Sequence, residues 1–483
     1  MKKSFKILLP VMLLLIIFSS CKKVIELQPT HTLEGDQAFN KIEDYEFALT
    51  GAYSRLLSVN YYGSSNGSNA FATLSDMMTD NFFESGESLG NYQNFSHWTY
   101  TADDPNIDAT WLAAYRVIQQ CNLTLRNIDK LSSTDPGAVN RVKSQALALR
   151  AHVHFDILRY WGEGTDRNST LKGIPYVSTF DIEQKPSRLS VKESYDAIIR
   201  DLHDAQTLMQ DLDRPISSTT STASTARGYI DEMVTNAMLA RIFNYAGESD
   251  SAIEYSSRVI AVRPLASRAN FPLIWQDANT SEVIWSVKFT PLNSGTGDNI
   301  YYATGNRASY RPTNNLTALY DQVNDIRYIS YFQIRARGSS SRLVLSKYLA
   351  KQAQLARPNG ITDFKVFRTA EMYLIRAEAY TRLSMDGPAL DDLNTLRAAR
   401  ILAFVPGTET GAALIAAIEN ERRKELVAEA QRWFDLKRTT RMVDRTTNCS
   451  VFCTLDPTAR EWVWPIPQTE ILANPNIDQT SGY

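Results

Sequence analysis

Over most of its length the chain places apolar residues three and four apart, the period of an α-helix that buries one face. The spacing predicts a helix over 36–59 carrying Ala38, Phe39, Ile42, Tyr45, Phe47, Leu49, Tyr53 and Leu56. Residues 71–83 are apolar with a short polar end. A helix over 111–131 aligns Trp111, Ala114, Tyr115, Ile118, Leu125 and Ile128 on one stripe, and one over 139–161 is rich in Ala and Leu. Ser190 with Glu193 three residues on reads as a capping box opening the next helix. That helix carries Tyr195, Ile198, Ile199, Leu202 and Leu208. Further on, 418–439 reads as one helix with Leu426, Val427, Ala430, Trp433 and Phe434 on a single face. Its polar positions space Glu419 with Arg423, Glu429 with Arg432 and Asp435 with Arg438 for ion pairing along the helix.

Two segments repeat one another at a constant offset of 137 residues: Ala240, Phe243, Ala252 and Ile253 answer to Ala377, Tyr380, Ala389 and Leu390. Each unit, about 231–264 and 367–400, reads as helix, turn at Gly247 or Gly387, then helix. The small–aromatic–small spacing is that of a tetratricopeptide repeat, in which small residues let paired helices approach. The helices at 111–131 and 139–161 look like a degenerate unit of the same kind. The fold class expected is therefore mainly α: a tetratricopeptide-like scaffold, interrupted rather than regularly stacked, with a loop-rich side and a few short strands. The interruption is 268–365, rich in Gly, Ser, Asn and Tyr, with one strand over 283–289. So long an irregular stretch in a compact domain is usually functional or mobile. At the C-terminus Pro465 and Pro467 force an extended turn, and one helical turn from Thr469 stops before Pro475, a terminal clasp.

The N-terminus departs from this pattern. Lys2, Lys3 and Lys6 precede an apolar run over 7–18 that is too short to span a bilayer comfortably. Ser19 and Ser20 then lead to Cys21. The order fits an export signal, and its closing Cys resembles a bacterial lipoprotein signal in which Cys21 becomes the lipidated first residue. A secretory signal followed by a free Cys is the alternative. The organisation expected is a signal over 1–20, a lipidated tether over 21–33, and one domain over 34–483. The sequence leaves open which leaflet holds the anchor.

Composition adds exclusions. Without the leader, 48 basic residues face 53 acidic ones, a formal charge of −5. With no basic run, nucleic acid is not the expected partner. Cys121 sits in an apolar helical pattern and reads as buried and inert. Cys449 and Cys453 can form a local disulfide after export; two thiols without a nearby His fall short of a zinc site. His152 and His154 point about 200° apart on a helix and cannot share a metal. Asp103 and Asp104 suit a helix start better than a glycosidase pair. No nucleophile elbow, zinc-protease motif or phosphate-binding glycine loop is present. No enzyme activity, cofactor or metal is expected.

Several segments share wording with one family. They are Cys21, TLSDMMTDN ending at Asp80 and Asn81, Trp111 through Cys121, Asn122 and Leu125, and the helix around Arg150, Phe155 and Trp161. KGIPYV at 172–177, both repeats, ERRKELVAEAQRWFDLKR within 418–439, and PIPQTEILANPNIDQTSGY complete the set. Together they resemble the SusD/RagB family of outer-membrane lipoproteins. Ser481, where a Pro is common, and His154, where an aromatic is usual, depart from it in packing positions. The resemblance implies a cell-surface lipoprotein of the outer membrane that captures an oligosaccharide and delivers it to a TonB-dependent SusC-like transporter. A peptide-binding RagB-like subunit is the alternative; a helical-repeat scaffold that binds only a protein partner is a reading of another class. The family signatures are structural, so no binding residue carries over from them; in this family loops hold the ligand. A sugar needs flat aromatic faces and a rim of polar side chains. Two loops offer that mixture: 81–100, with Asn81, Tyr92, His97 and Trp98, and 301–311, with Tyr301, Tyr302, Tyr310 and Arg311. The two are expected to meet, with Trp98 and the tyrosines forming an aromatic platform.

Overall fold

The computed structural model describes residues 39–63, 70–216, 227–289, 307–349 and 361–483. Cys21, Tyr301 and Tyr302 lie outside the described residues. Helices dominate. α1 (Ile42–Arg55), α2 (Pro105–Leu125), α3 (Pro136–Trp161) and α4 (Val191–Leu208) follow one another, each packed on the next or the next but one. Their ends follow local chemistry. The Asp104 carboxylate accepts from the amides of Asn106 and Ile107 at the start of α2. Ser190 and Glu193 close the expected capping box on α4. Cys121, His152 and His154 are all buried. Burial pushes the Cys121 thiol up to about 12 and holds His152 and His154 neutral, at about 4 and about 3.

α5 (Glu232–Ala246) and α6 (Ser249–Val262) form the first repeat unit; α7 (Thr369–Arg382) and α8 (Asp386–Arg400) form the second. Ala240, Ala252, Ala377 and Ala389 are fully buried where the helices meet. Gly247 ends α5 in the left-handed region at φ 77°. In the second unit that role falls to Ser384, at φ 59°, and Gly387 already lies inside α8.

The two units are neighbours in space despite the chain between them, because α6 packs on α7. Arg241 of α5 holds Glu371 of α7 at 2.6 Å, and Arg376 of α7 donates to Ser257 of α6 at 3.0 Å. The intervening excursion is closed at its neck by β2 (Val283–Val287) and β6 (Phe364–Arg368), which pair antiparallel with Val283 opposite Arg368. Among the described residues the other strands also form two-stranded antiparallel sheets. β1 (Phe82–Glu84) pairs with β3 (Tyr310–Pro312), β4 (Phe332–Arg337) with β5 (Ser340–Leu345), and β7 (Val443–Asp444) with β8 (Thr454–Leu455).

The stretch 418–439 is not one helix. α9 (Gly411–Glu425) stops, six residues intervene, and α10 (Arg432–Arg438) begins. Ala428 and Ala430 sit at φ 57°, outside the helical region. In a continuous helix the Glu425 carbonyl would accept the Glu429 amide. Here it accepts from Arg368 at 3.0 Å and the Tyr331 hydroxyl at 2.9 Å. The Lys347 ammonium takes the Val427 carbonyl at 2.7 Å. Distant side chains thus hold the carbonyls that the next turn would need.

The polar face of this stretch is not solvent-exposed either. Arg327, Arg368, Arg400, Glu282, Asp325, Glu421 and Glu425 are all buried. Glu425 faces Arg368 at 2.7 Å, Arg327 at 3.0 Å and Arg400 at 3.1 Å. Lys347 holds Glu429, and Lys424 holds Glu421. These five cations and five carboxylates balance, which lets the charges stay inside. The pairs expected along the helix are accordingly redistributed: Glu419 takes Arg441, Arg423 and Arg432 take Asp80, and Glu429 takes Arg368 and Lys347. Only the third expected pair forms, Asp435 with Arg438 at 2.9 Å.

The C-terminal segment acts as a clasp. Trp464 stacks on Tyr160 with ring centroids 4.0 Å apart, and the Trp161 indole donates to the Pro465 carbonyl at 2.8 Å.

Candidate functional site

The two loops converge on β1 and β3. Register sets Phe83 opposite Arg311 and Glu84 opposite Tyr310. The ladder continues beyond the strands: the Ser85 amide donates to the Ser309 carbonyl and the Thr313 amide to the Asn81 carbonyl, both at 2.9 Å. Glu87 fastens the next layer. Its carboxylate accepts from Arg342 at 2.6 Å and from the Ala308 amide at 2.9 Å, and its carbonyl accepts from Arg307. The described part of the second loop therefore meets the first, as expected.

Among the described residues the expected aromatic platform does not stand at this junction. Trp98 is only 6% exposed and adopts φ 54°. Its indole donates to the Met78 carbonyl at 2.9 Å, and the Arg445 guanidinium lies 4.4 Å from the ring centroid. Tyr310 is fully buried and donates to the Asn91 carbonyl. Tyr92 is buried at φ 58°, the residue before a short helix. Asn81 is spent inside the fold, donating to Asp76 at 2.7 Å and accepting from Arg423 at 2.9 Å. These four side chains hold the loops in shape and offer no ring face or amide to a ligand. Arg311 is half-buried, its guanidinium 5.6 Å from the Phe83 ring centroid. Burial lowers its pKa.

A different aromatic surface stands beside them. The β7–β8 hairpin is closed by a disulfide between Cys449 and Cys453, which answers the question the sequence left open. Its tip carries Val451 and Phe452, 62% and 45% exposed, with Phe452 at φ 56°. Phe452 stacks on His97 with centroids 4.5 Å apart and an interplanar angle of 17°. Glu84 of β1 lies 3.0 Å from His97 Nε2, and the Gln93 amide donates to the Glu84 carboxylate at 3.1 Å. Arg445 bonds the carbonyls of Met77 and Ser96, so the hairpin and the 82–100 loop are one unit. The result is a flat ring backed by a fixed imidazole, bordered by a carboxylate and an amide. That combination suits the C–H face of a sugar and its neighbouring hydroxyls.

His97 lies in a loop the sequence had singled out; Phe452 does not. The signal available for Phe452 was an apolar pair between two closely spaced cysteines.

Comparison with known proteins fits this architecture. Residues 299–483 match the family model described as the SusD family, and residues 40–232 match one described as starch-binding associating with outer membrane. The chain belongs to the SusD/RagB family. SusD-like protein P38 of Formosa agariphila is 23% identical, covering 100% of this chain and 99% of that protein. SusD-like protein P2 of the same organism is 24% identical, covering 100% of both. Among solved structures, a SusD superfamily protein from Bacteroides thetaiotaomicron superposes with a TM-score of 0.79 at 23% identity, covering 91% of this chain and all of that one. A SusD-like carbohydrate binding protein from Bacteroides vulgatus gives 0.75 at 23% identity, covering 91% and 98%. These likenesses show the SusD/RagB fold: a helical scaffold with short strand pairs.

Proposed function

We propose that this SusD/RagB protein captures an oligosaccharide on its loop-rich face and delivers it to a TonB-dependent SusC-like transporter in the outer membrane. The observation that carries the reading is the Phe452–His97 stack, rimmed by Glu84 and Gln93, on loops braced by buried side chains. Lipid on Cys21 anchors the chain at the cell surface, a reading supported by the Lys-rich start, the apolar run over 7–18 and the small residues before that Cys. The names of the starch-binding family model and of the carbohydrate-binding relative support a glycan as cargo. The protein does no chemistry on that cargo. Its role is to hold the ligand weakly enough to release it: each hydrogen bond gained replaces one to water and nets about 0.5–1.5 kcal/mol. The affinity expected is micromolar or weaker, about −8 kcal/mol at most.

Calorimetry against a panel of neutral oligosaccharides, acidic oligosaccharides and peptides tests the proposal. Saturable binding of an oligosaccharide supports it. Binding of peptides alone favours the RagB-like alternative, and no ligand beyond a protein partner favours the scaffold reading.

A further inference from the structure

A cavity of about 360 Å³ opens on the repeat side of the molecule between α5, α7, α9 and α10. Arginines crowd its floor. Glu378 of α7 is shared by Arg382 at 2.8 Å and by Arg438. Asp435 is shared by Arg438 at 2.9 Å and Arg422 at 2.7 Å. Outside the lining itself, Asp80 is shared by Arg423 at 3.3 Å and by the lining Arg432 at 2.7 Å. Five guanidiniums therefore lean on three carboxylates, unlike the balanced ion cluster in the core. Glu371, 3.7 Å from Arg422, brings no further balance because Arg241 already holds both its oxygens. At the rim Arg441 and Glu419 cancel each other at 2.7 Å.

Arg422 is the telling group. It lines the cavity and is 3% exposed, yet among the described residues neither of its terminal nitrogens finds a hydrogen-bond acceptor. A buried, underbalanced guanidinium is costly unless an acceptor completes it. The guanidinium fork matches the paired oxygens of a carboxylate, phosphate or sulfate. We propose that this cavity is a binding site for an oxyanion of that class, distinct from the loop face, with the arginines of α7, α9 and α10 as its cradle. The volume leaves room for the group that bears the anion. The site needs no occupant on the loop face, so it stands or falls independently of the proposed cargo.

The test compares sulfate, phosphate and acetate with chloride at equal ionic strength, using the full mature chain. Melting temperature and calorimetry are read together, and selenate is soaked into crystals. The expected result is a saturable stabilisation by at least one oxyanion that chloride does not give, with selenate density in the cavity. Ile415→Glu places a competing carboxylate at the rim, where Ile415 is 46% exposed. That variant and Arg382→Gln are each expected to weaken the anion at least tenfold. Ile415→Glu is expected to leave binding at the loop face unchanged. Stabilisation no greater than that by chloride overturns the proposal. So does selenate bound elsewhere, or parental anion affinity in both variants.

Discussion

Glu425→Gln removes one charge from the buried ion cluster while keeping the shape of the side chain. Glu425 is fully buried and faces Arg327, Arg368 and Arg400 at 2.7–3.1 Å. Those three guanidiniums depress its pKa well below the ordinary carboxylate value against the upward push of burial. Breaking a buried pair by removing one partner costs about 3–5 kcal/mol, because the other charge is left uncompensated. The same change at Glu254 provides the contrast. Glu254 pairs with Arg258 at 2.5 Å, but both side chains are about half exposed. An exposed pair of this spacing contributes about 0.3–0.5 kcal/mol. Reversible urea unfolding, with free energies extrapolated to water, measures both. The expected gap between the variants is several kcal/mol, nearly insensitive to added salt because the cluster is shielded from solvent. A depressed carboxylate pKa stabilises the fold above the unfolded value and loses that contribution as pH falls through the folded one. The gap is therefore expected to narrow only in strong acid. A Glu425→Gln cost below about 1 kcal/mol would refute the claim that the buried cluster depends on its charge balance.

Other perturbations read other parts of the account. Trp433 is fully buried and stacks on Trp462 with centroids 4.3 Å apart, so Trp433→Ala is expected to cost about 3–5 kcal/mol in unfolding free energy without changing ligand preference. A normal stability with lost binding would place that ring in the site instead. Burial raises the Asp76 carboxyl to about 7, so the fold loses stability as pH rises from about 4 to about 7. Asp76→Asn is expected to flatten that slope and to be the more stable form at pH 8; an unchanged slope contradicts the assignment. Cys21→Ala is expected to release the protein from membranes in cell fractionation, and equal retention with the parent would remove the lipid anchor from the account.

The helices, the Ser190 capping box and the repeat pairs were legible in the sequence, because each follows from local spacing or from a neighbouring turn. The meeting of the two loops, about 200 residues apart, followed only from the family resemblance. The break after Glu425 was not legible. The apolar pattern of Val427, Ala430 and Phe434 continues in helical register, and what interrupts it is Arg368 and Lys347, distant in the chain. The same distance hid the fate of Asn81 and Trp98. Both residue types suit a glycan site, but a carbonyl at Met78 and a carboxylate at Asp76 claimed them for the fold. Phe452 escaped notice because its exposure depends on a disulfide and on a stacking partner more than 350 residues earlier in the chain.

The central claim, capture on the loop-rich face, is tested most directly by titrating Phe452→Ala and parent with the same oligosaccharide. Phe452 is exposed, so its removal leaves the core intact and a circular dichroism spectrum like the parent's is expected. Stacking on an aromatic face contributes about 1 kcal/mol or somewhat more, so affinity is predicted to fall about tenfold. Parental affinity in a folded Phe452→Ala protein would contradict the account and move the ligand away from the Phe452–His97 stack.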